Sequence, residues 1–192
     1  MGRPRRPRPV KLIVGLLAGD PDLLRRARQL LTQPYGGVDL ESEVWPFDQT
    51  EYYTEEMGPG LKRQFLSFER LIRADDIAEI KLRANALEER IAEDCALSGC
   101  SRPVNIDPGY IDLARLVLAT TKDRSHRIYV GSGIYAEVTL QYTRGAWQVL
   151  PWTYPDYRGA EYHAFFDRVR ERLRIQWQEL DDLAERTNPQ GP

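Results

Sequence analysis

Two short polar segments carry the side chains best suited to binding or catalysis. The first is Asn105-Ile106-Asp107-Pro108-Gly109-Tyr110. Asn105 and Asp107 alternate along the chain, so they share one face of a predicted short strand and stand at its end. Polar groups in that position can hold a ligand or a metal rigidly. Asp-Pro-Gly is also a favourable turn by itself, so the segment can equally be a plain connection.

The second segment, residues 120–127, brings together Lys122, His126 and Arg127. Lys and Arg side chains suit the oxygens of phosphates and carboxylates. Histidine is the side chain best suited to act as a general acid or base near neutral pH, so His126 could have that role. The other interpretation of this segment is a solvated hairpin loop.

Tyr135 and Glu137 lie on the polar face of a strand predicted over Ile134–Tyr142. The opposite face of that strand is expected to carry Ile134, Ala136, Val138 and Leu140. If the polar face is open to water, Glu137 is ordinary surface. If the C-terminal helix or an aromatic loop covers it, Glu137 is a buried carboxylate that must be paired. Its partner would then be Lys122, Arg127 or a metal.

Lys81, Asn85 and Glu88 are spaced at i, i+4 and i+7 on a predicted helix. That spacing places them in one stripe beside the apolar face of the helix. The stripe can be a boundary with its own ion pair, or it can line the same cleft as the two polar segments.

These residues predict a site for a small anionic or nucleotide-like ligand, which a metal could assist. The predicted catalytic residues are His126, Asp107 and Glu137, and the predicted ligand-binding residues are Asn105, Lys122, Arg127, Tyr135 and Lys81. Lys122 and Arg127 would hold the anion, while Asp107 and Glu137 would hold a metal or orient water. Whether the protein is an enzyme, and which cofactor or metal it uses, stays open.

Two other functions are consistent with the sequence. The aromatic loop over residues 45–57 could bind a protein partner without any catalysis, and exposed aromatics there would mark the patch. Burial of Tyr52 and Tyr53 in the chain's own core would remove the basis for this hypothesis. The Arg-rich tail over residues 1–9 could bind RNA nonspecifically.

The charge distribution argues against a dedicated nucleic-acid surface. Five of the 27 basic residues lie within the first eleven positions, which leaves 22 basic residues against all 29 acidic ones. A nucleic-acid surface would show a concentrated basic footprint instead. No apolar run approaches the ~20 residues of a membrane helix, and no GxxxxGK[ST] phosphate loop is present.

The start of the chain resembles a secretory signal only superficially. A basic tail precedes the apolar run Leu12–Ala18, but Asp20-Pro21 follows in place of a cleavage site. We therefore expect a buried strand in a cytoplasmic protein. Two cysteines are too few for a disulfide framework.

Hydrophobic periodicity predicts six elements in the first half, in the order βαββαβ. They are a strand over Lys11–Ala18, a helix over 21–33 capped by Asp20, strands over Val38–Trp45 and Leu61–Ile72, a helix with its apolar stripe on Ile77, Ile80, Ala84, Leu87 and Ile91, and a strand over Val104–Ile106. This order is typical of a ferredoxin-like arrangement, with both helices on one face of an antiparallel sheet.

The second half is richer in strand patterns and ends in a helix. The predicted elements are strands over Leu116–Thr121, Arg127–Val130 and Ile134–Tyr142, a hairpin strand over Ala146–Trp152, and a helix over Ala160–Leu183 that turns Tyr162, Phe165, Phe166, Val169, Leu173 and Leu180 inward. We therefore predict an α+β fold with an antiparallel or mixed sheet. Residues 10–183 form its single domain, between disordered tails over 1–9 and 184–192.

The chain also resembles an uncharacterised bacterial family, domain of unknown function 4416. The resemblance covers about Val10 to Leu173 and is strongest at Arg102–Tyr110. Its other matching blocks are Phe47-Asp48, Tyr52-Tyr53, Glu56-Met57-Gly58, Phe65–Phe68, Ile80-Lys81, Asn85, Leu87-Glu88, Leu116–Asp123, His126–Gly131, Gly133–Leu140 and Trp152–Arg158. The family implies no established activity, fold or catalytic residue.

Overall fold

The computed structural model describes residues 2–48, 53–95 and 102–187. In chain order the elements are β1 (Val10–Ala18), α1 (Pro21–Tyr35), β2 (Val38–Glu41), β3 (Trp45–Pro46), α2 (Thr54–Met57), β4 (Lys62–Ile72), α3 (Ile77–Asp94), β5 (Val104–Ile111), β6 (Arg115–Thr120), β7 (Ile128–Gly131), β8 (Ile134–Thr143), β9 (Ala146–Val149) and α4 (Ala160–Thr187).

The strands described form one nine-stranded sheet in the order β2-β4-β1-β5-β6-β8-β7, with β3 beside β4 and β9 beside β8. Each of these pairings is antiparallel. Mixed helix and antiparallel sheet content confirms the α+β class predicted from the sequence.

Each face of the sheet packs against its own helices. On one face α1 and α3 bury their apolar stripes against β1, β4 and β5, around Leu16, Leu66 and Ile106. On the other face α4 packs against an aromatic cluster that includes Phe65 and Phe166. β1 contributes to both clusters because its side chains alternate between the two faces.

The α4 helix is longer than predicted and buries less of its length. Its predicted inward residues from Tyr162 to Leu173 are buried, but the prediction for Leu180 was wrong, because that side chain is 43% exposed. The described residues 178–187 are all exposed, since the last turns of α4 extend past the core. Residues 184–187, predicted to be a disordered tail, belong to this helix.

The α1 helix starts as predicted, and Asp20 caps it by accepting a hydrogen bond from the Asp22 backbone N–H. Its end differs from the prediction. Pro34 does not stop the helix, which runs on to Tyr35. The ring of Tyr35 is buried and packs edge-on against Phe68, so tertiary packing outweighs the local preference of proline.

The β5 strand does not end at Ile106 as predicted but continues through Pro108-Gly109 to Ile111. It pairs with β1 along its whole length, from Val104 to Ile111. With β6 it pairs only over Gly109–Ile111. The part of β5 that precedes Gly109 therefore lies apart from β6, and a gap opens in the sheet beside residues 104–108.

Side chains from α3 take the place of the missing strand in this gap. Glu88 Oε1 accepts a hydrogen bond from the Ile106 N–H at 2.7 Å, and Lys81 Nζ donates to the Ile106 carbonyl at 2.9 Å. Backbone groups alternate sides along a strand, so those of Pro108 face the same gap. Because proline has no N–H, it leaves no donor unsatisfied there.

A bulge at Thr139 changes which face the two ends of β8 present. Leu116 of β6 pairs with Leu140, but the next residue pairs with Val138, so Thr139 is the extra residue. Leu140 consequently packs against α4, while Ile134 packs against α3. The prediction that Ile134, Ala136, Val138 and Leu140 share one face was therefore wrong for Leu140.

Gly109→Ala should destabilise the protein, because a Cβ there would lie 2.3 Å from the Val117 carbonyl oxygen and 2.7 Å from a Leu118 methyl. Overpacking of this kind costs about 1–3 kcal/mol. Urea denaturation would measure the loss. Gly19→Ala is the matched control, since its Cβ would make only an ordinary contact at 3.7 Å. Equal stability of the two variants would contradict a close approach of β5 and β6.

Candidate functional site

A cavity of about 450 Å³ opens where β5 and β6 part. Its walls come from the parted strands and from β4, β8, α3, the aromatic loop, the residues before β5, the segment that follows β6 and the segment that precedes α4. The described lining residues are Phe47, Tyr53, Arg63, Lys81, Asn85, Arg102, Asn105, Asp107, Leu118, Ala119, Thr120, Thr121, Lys122, Arg124, Arg127, Glu137, Tyr154, Pro155, Asp156 and Tyr157. The volume lies within the range of about 300–1,000 Å³ that is typical of small-molecule sites.

Asp107 lies at the centre of one wall. It pairs across the sheet with Gly15, on the face that α4 covers. Lys81 Nζ lies 3.3 Å from its Oδ1, and Asn105 Nδ2 donates to its Oδ2 at 2.5 Å. Burial acts to raise the pKa of Asp107, but the charges of Lys81 and Arg63 and these hydrogen bonds outweigh burial and lower it. The carboxylate is therefore ionised at neutral pH.

Arg63 of β4 carries a guanidinium buried in the same wall, and its side chain is 4% exposed. The rings of Phe47 and Phe65 lie 4.9 and 5.8 Å from its central carbon. Nη2 donates to Asp156 Oδ2 at 3.4 Å, and Nη1 lies 3.9 Å from Asp107 Oδ2. Nε and Nη1 have no hydrogen-bond partner among the described residues. A buried donor without a partner is costly, so an acceptor beside this group would be stabilising.

The segment that follows β6 supplies the opposite wall. Arg127 Nε donates to Glu137 Oε2 at 2.6 Å, and both side chains are nearly inaccessible, at 6% and 1%. His126 Nε2 lies 3.1 Å from the same carboxylate oxygen, and its ring stacks on Trp152. Glu137 is therefore a buried carboxylate whose partner is Arg127, one of the outcomes expected for a covered strand face. Lys122 is exposed at the open side of the cavity.

The segment before α4 forms another wall of the cavity. It is fixed to β8, because the Trp152 indole N–H donates to the Val138 carbonyl at 2.8 Å and the Thr153 hydroxyl to the Thr139 carbonyl at 2.5 Å. Tyr154 accepts a hydrogen bond from Arg127 Nη2 at 2.7 Å. Burial, with a smaller contribution from the charge of Glu137, raises the pKa of Tyr154 to about 12, so its phenol is protonated at neutral pH.

Asp156 and Tyr157 extend the same segment into the core. Burial raises the pKa of the Asp156 carboxyl, and the charge of Arg63 opposes this only in part. Burial also raises the pKa of Tyr157, whose hydroxyl has no hydrogen-bond partner among the described residues.

Arg102 closes the remaining side of the cavity. Its guanidinium donates to Glu88 Oε2 at 3.0 and 3.2 Å and to Glu56 Oε2 at 3.4 Å, and it also contacts Asn105 Oδ1. Glu88 in turn holds the Ile106 N–H. Burial raises the pKa of Glu88, against the charges of Lys81 and Arg102. These contacts join α3, β5 and the cavity in one hydrogen-bond network.

Most of the residues predicted from the sequence converge on this cavity. The wall includes Lys81, Asn105, Asp107, Lys122, Arg127 and Glu137. His126 lies behind Glu137, between that carboxylate and Trp152, and is not among the lining residues. Tyr135 does not line the cavity either, and its ring packs against Tyr129. The catalytic role predicted for His126 and the ligand-binding role predicted for Tyr135 stay predictions.

Four charged lining residues were not among the predicted site residues: Arg63, Arg102, Arg124 and Asp156. Arg63 had a signal in the sequence, because it alternates with Phe65 and Ser67 and so shares their face of β4. A charged residue on the apolar side of a strand must find a partner. Arg102 and Arg124 lie in irregular segments and Asp156 in a single 3₁₀ turn, so no periodicity indicates the direction of these side chains.

The aromatic loop contributes to the core and the cavity. Phe47 and Met57 are buried, and Tyr53 packs against the small cluster that they form. Residues 49–52, including Tyr52, lie outside the described part of the chain. The protein-binding hypothesis for this loop therefore finds no exposed aromatic patch in Phe47 and Tyr53, although it stays a prediction.

The basic tail contacts the last helix. Arg8 pairs with Asp181 at 2.8 Å, and its guanidinium lies over the ring of Trp177. Binding of RNA by this tail stays a prediction.

Within residues 2–48, 53–95 and 102–187, no group of three or more His, Cys, Asp and Glu side chains could hold a metal ion. No helix in that part of the chain is long and apolar enough to cross a membrane.

The family model for domain of unknown function 4416 (DUF4416) matches residues 8–173. The chain belongs to this family. The match confirms the resemblance seen in the sequence, and it includes all the residues that line the cavity. No curated protein and no solved structure matches the chain.

The pKa of Asp107 predicts how stability changes with pH. A carboxyl whose folded pKa is lowered stabilises the fold above its unfolded pKa of about 3.9, and this contribution is lost as the pH falls through the folded value. Wild type should therefore be more stable than Asp107→Asn at pH 7, and the difference should shrink below about pH 4. Urea denaturation at several pH values would measure it.

Asp167→Asn is the control for this comparison, because it removes an exposed carboxylate of α4. Its stability relative to wild type should show no comparable change below pH 4. A difference between wild type and Asp107→Asn that is the same at pH 7 and pH 3 would contradict the assignment.

Proposed function

We propose that the cavity between β5 and β6 binds a small anionic molecule. The observation that carries the proposal is the excess of cationic side chains in the cavity wall, which includes the buried guanidinium of Arg63. Arginine cannot lose its charge in a protein, so a buried Arg63 needs acceptors. Asp156 and, at longer range, Asp107 supply some of them, at 3.4 and 3.9 Å.

The formal charge of the wall supports an anion. The described lining residues include six cationic side chains, Arg63, Lys81, Arg102, Lys122, Arg124 and Arg127, but only three carboxylates, Asp107, Glu137 and Asp156. Low dielectric around a partly enclosed site strengthens the attraction between such cations and a ligand's negative charge.

The predicted catalytic residues differ in how they could act. Asp107 lines the cavity in its ionised form, so it could accept a proton or orient a ligand hydroxyl. Glu137 is 1% exposed and bound to Arg127, which favours a positioning role: it fixes the guanidinium that faces the ligand. His126 could reach a ligand only through Glu137 or by a movement of its ring away from Trp152.

We also infer that the first half of the fold is ferredoxin-like. The support is the strand order β2-β4-β1-β5, antiparallel throughout, with α1 and α3 sharing one face. In this arrangement α3 lies across β5, which is the position from which Lys81 and Glu88 reach Ile106.

A thermal-shift screen tests the binding function. Inorganic phosphate, pyrophosphate, citrate, sugar phosphates and nucleotides would each be added to the purified protein, with and without Mg²⁺. A ligand at 100 times its Kd adds about 2.7 kcal/mol to the free energy of unfolding. For a domain of this size, that is a rise in Tm of roughly 5–10 °C.

Lys122→Ala should weaken the binding of any anion that raises the Tm, by about tenfold in Kd, since one charge contact is worth roughly 1–2 kcal/mol. Arg90→Ala is the matched control, because it removes an exposed cation of α3 that is not among the described lining residues. The absence of a shift with every anion, or equal effects of the two variants, would refute the proposed site.

A further inference from the structure

The wall of the cavity changes character from its inner end to its mouth. We define the inner wall as Arg63, Asp107, Asp156 and Tyr157. Three of these side chains belong to buried residues, and the side chain of Asp107 is 27% exposed. The mouth is formed by Lys122 and Arg124, which are both exposed residues of the segment after β6. A bound molecule would therefore meet different chemistry at its two ends.

Charges at the inner wall already have partners of opposite sign. Arg63 lies between two carboxylates, 3.4 Å from Asp156 and 3.9 Å from Asp107. Asp107 also pairs with Lys81 at 3.3 Å. A phosphate placed here would gain the guanidinium but would also face both carboxylates, and like charges at short range in a partly buried site repel strongly. This end of the cavity does not favour an anionic group.

The inner wall instead offers donors and acceptors side by side. Arg63 and the Tyr157 hydroxyl can donate, while Asp107 and Asp156 can accept. Arg63 Nη1 and the Tyr157 oxygen both lie beside Gly15, where a Cβ would be 3.3 and 3.4 Å from them. A hydroxyl both donates and accepts, so it can use the two kinds of group at once. Neighbouring hydroxyls on one ring would suit a row of such groups.

The mouth offers the opposite chemistry. Lys122 and Arg124 are cations of the lining segment, and the Lys122 carbonyl accepts a hydrogen bond from Arg127 Nη1 at 2.8 Å, which fixes the backbone of this segment. Lys and Arg are the side chains that bind phosphate oxygens best. Of the lining residues, the aromatic Tyr53 and Tyr154 add flat surfaces on which a ring can pack.

We propose that the ligand is a phosphate ester of a hydroxyl-bearing ring, a sugar or a nucleoside. The ring occupies the inner wall, where Asp107 and Asp156 accept from its hydroxyls and Arg63 donates to them. The phosphate lies at the mouth on Lys122 and Arg124. This inference rests on the anion-binding function proposed above and assigns the class of the anion.

Isothermal titration calorimetry on the full chain tests it with four probes: ribose 5-phosphate, adenosine 5′-monophosphate, ribose and inorganic phosphate. At least one of the two esters should bind ten times more tightly than inorganic phosphate, and ribose should bind more weakly than either ester. The better of the two esters then tells whether the ring is a free sugar or a nucleoside.

Two variants separate the ends of the cavity. The double variant Lys122→Ala/Arg124→Ala should weaken the binding of the esters and of inorganic phosphate alike, about tenfold or more. Asp156→Asn should weaken the esters about tenfold, because a hydroxyl loses a charged acceptor, but should not weaken inorganic phosphate, since a repelling charge is removed. Weaker binding of the esters by Asp156→Asn, without weaker binding of inorganic phosphate, would indicate a ring at the inner wall.

Asp156 pairs with the buried Arg63, so a second variant, at a lining residue outside this ion pair, guards against misfolding. Asn85→Ala removes a half-buried polar side chain of α3 that lines the cavity and carries no charge. It should weaken the esters and leave inorganic phosphate unchanged. Circular dichroism and Tm would establish that each variant is folded.

The two proposals fail in different ways. The ring assignment is wrong, and the anion site stands, if inorganic phosphate binds as tightly as both esters. The same conclusion follows if Asp156→Asn and Asn85→Ala weaken the binding of all anions equally. If neither the esters nor inorganic phosphate bind while another anion of the screen does, the ligand class is wrong. If no anion binds, the cavity is not an anion site, and both proposals fall.

Discussion

The parting of β5 from β6 is the constraint on which the rest of the site depends. An antiparallel sheet normally satisfies its interior backbone groups with the neighbouring strand, and an opened sheet leaves them exposed in the core. Here α3 supplies the substitutes, since Glu88 and Lys81 take the N–H and carbonyl of Ile106. Pro108 adds no donor that would need a partner. The gap can therefore exist inside the domain while the backbone groups of Ile106 stay paired, and the cavity follows from it.

Around this gap the structure assembles charges that would be costly in isolation. Burying an ion is unfavourable unless it is paired and hydrogen-bonded. Arg127 and Glu137 satisfy each other, Asp107 has several donors, and Arg63 has two flanking carboxylates at longer range. The last group is the least satisfied of these. An incompletely satisfied buried polar group is uncommon in native proteins and calls for an explanation.

The sequence predicted those features that rest on strong periodicity or on residue type. The α+β class, the apolar stripe of α3 and most of the polar cavity residues, such as Asp107 and Glu137, could be predicted in this way. Features that depend on a neighbouring element could not. Pro108-Gly109 has the pattern of a turn, and only the gap beside it allows a strand to continue. The bulge at Thr139 has no local signature, and the contact of Arg63 with the Phe47 ring joins a strand to a separate loop.

Lys81 links the two layers of the domain in a way that sequence position does not suggest. Its helix packs on one face of the sheet, yet its ammonium contacts Asp107, which belongs to the opposite face. A shift of α3 along the sheet would therefore change the electrostatic potential inside the cavity, and a ligand that polarises Asp107 would pull on the helix. Such coupling is reciprocal by thermodynamic necessity. Because Lys81 passes through the gap in the sheet, the position of α3 on one face is linked to the charge environment of Asp107 on the other.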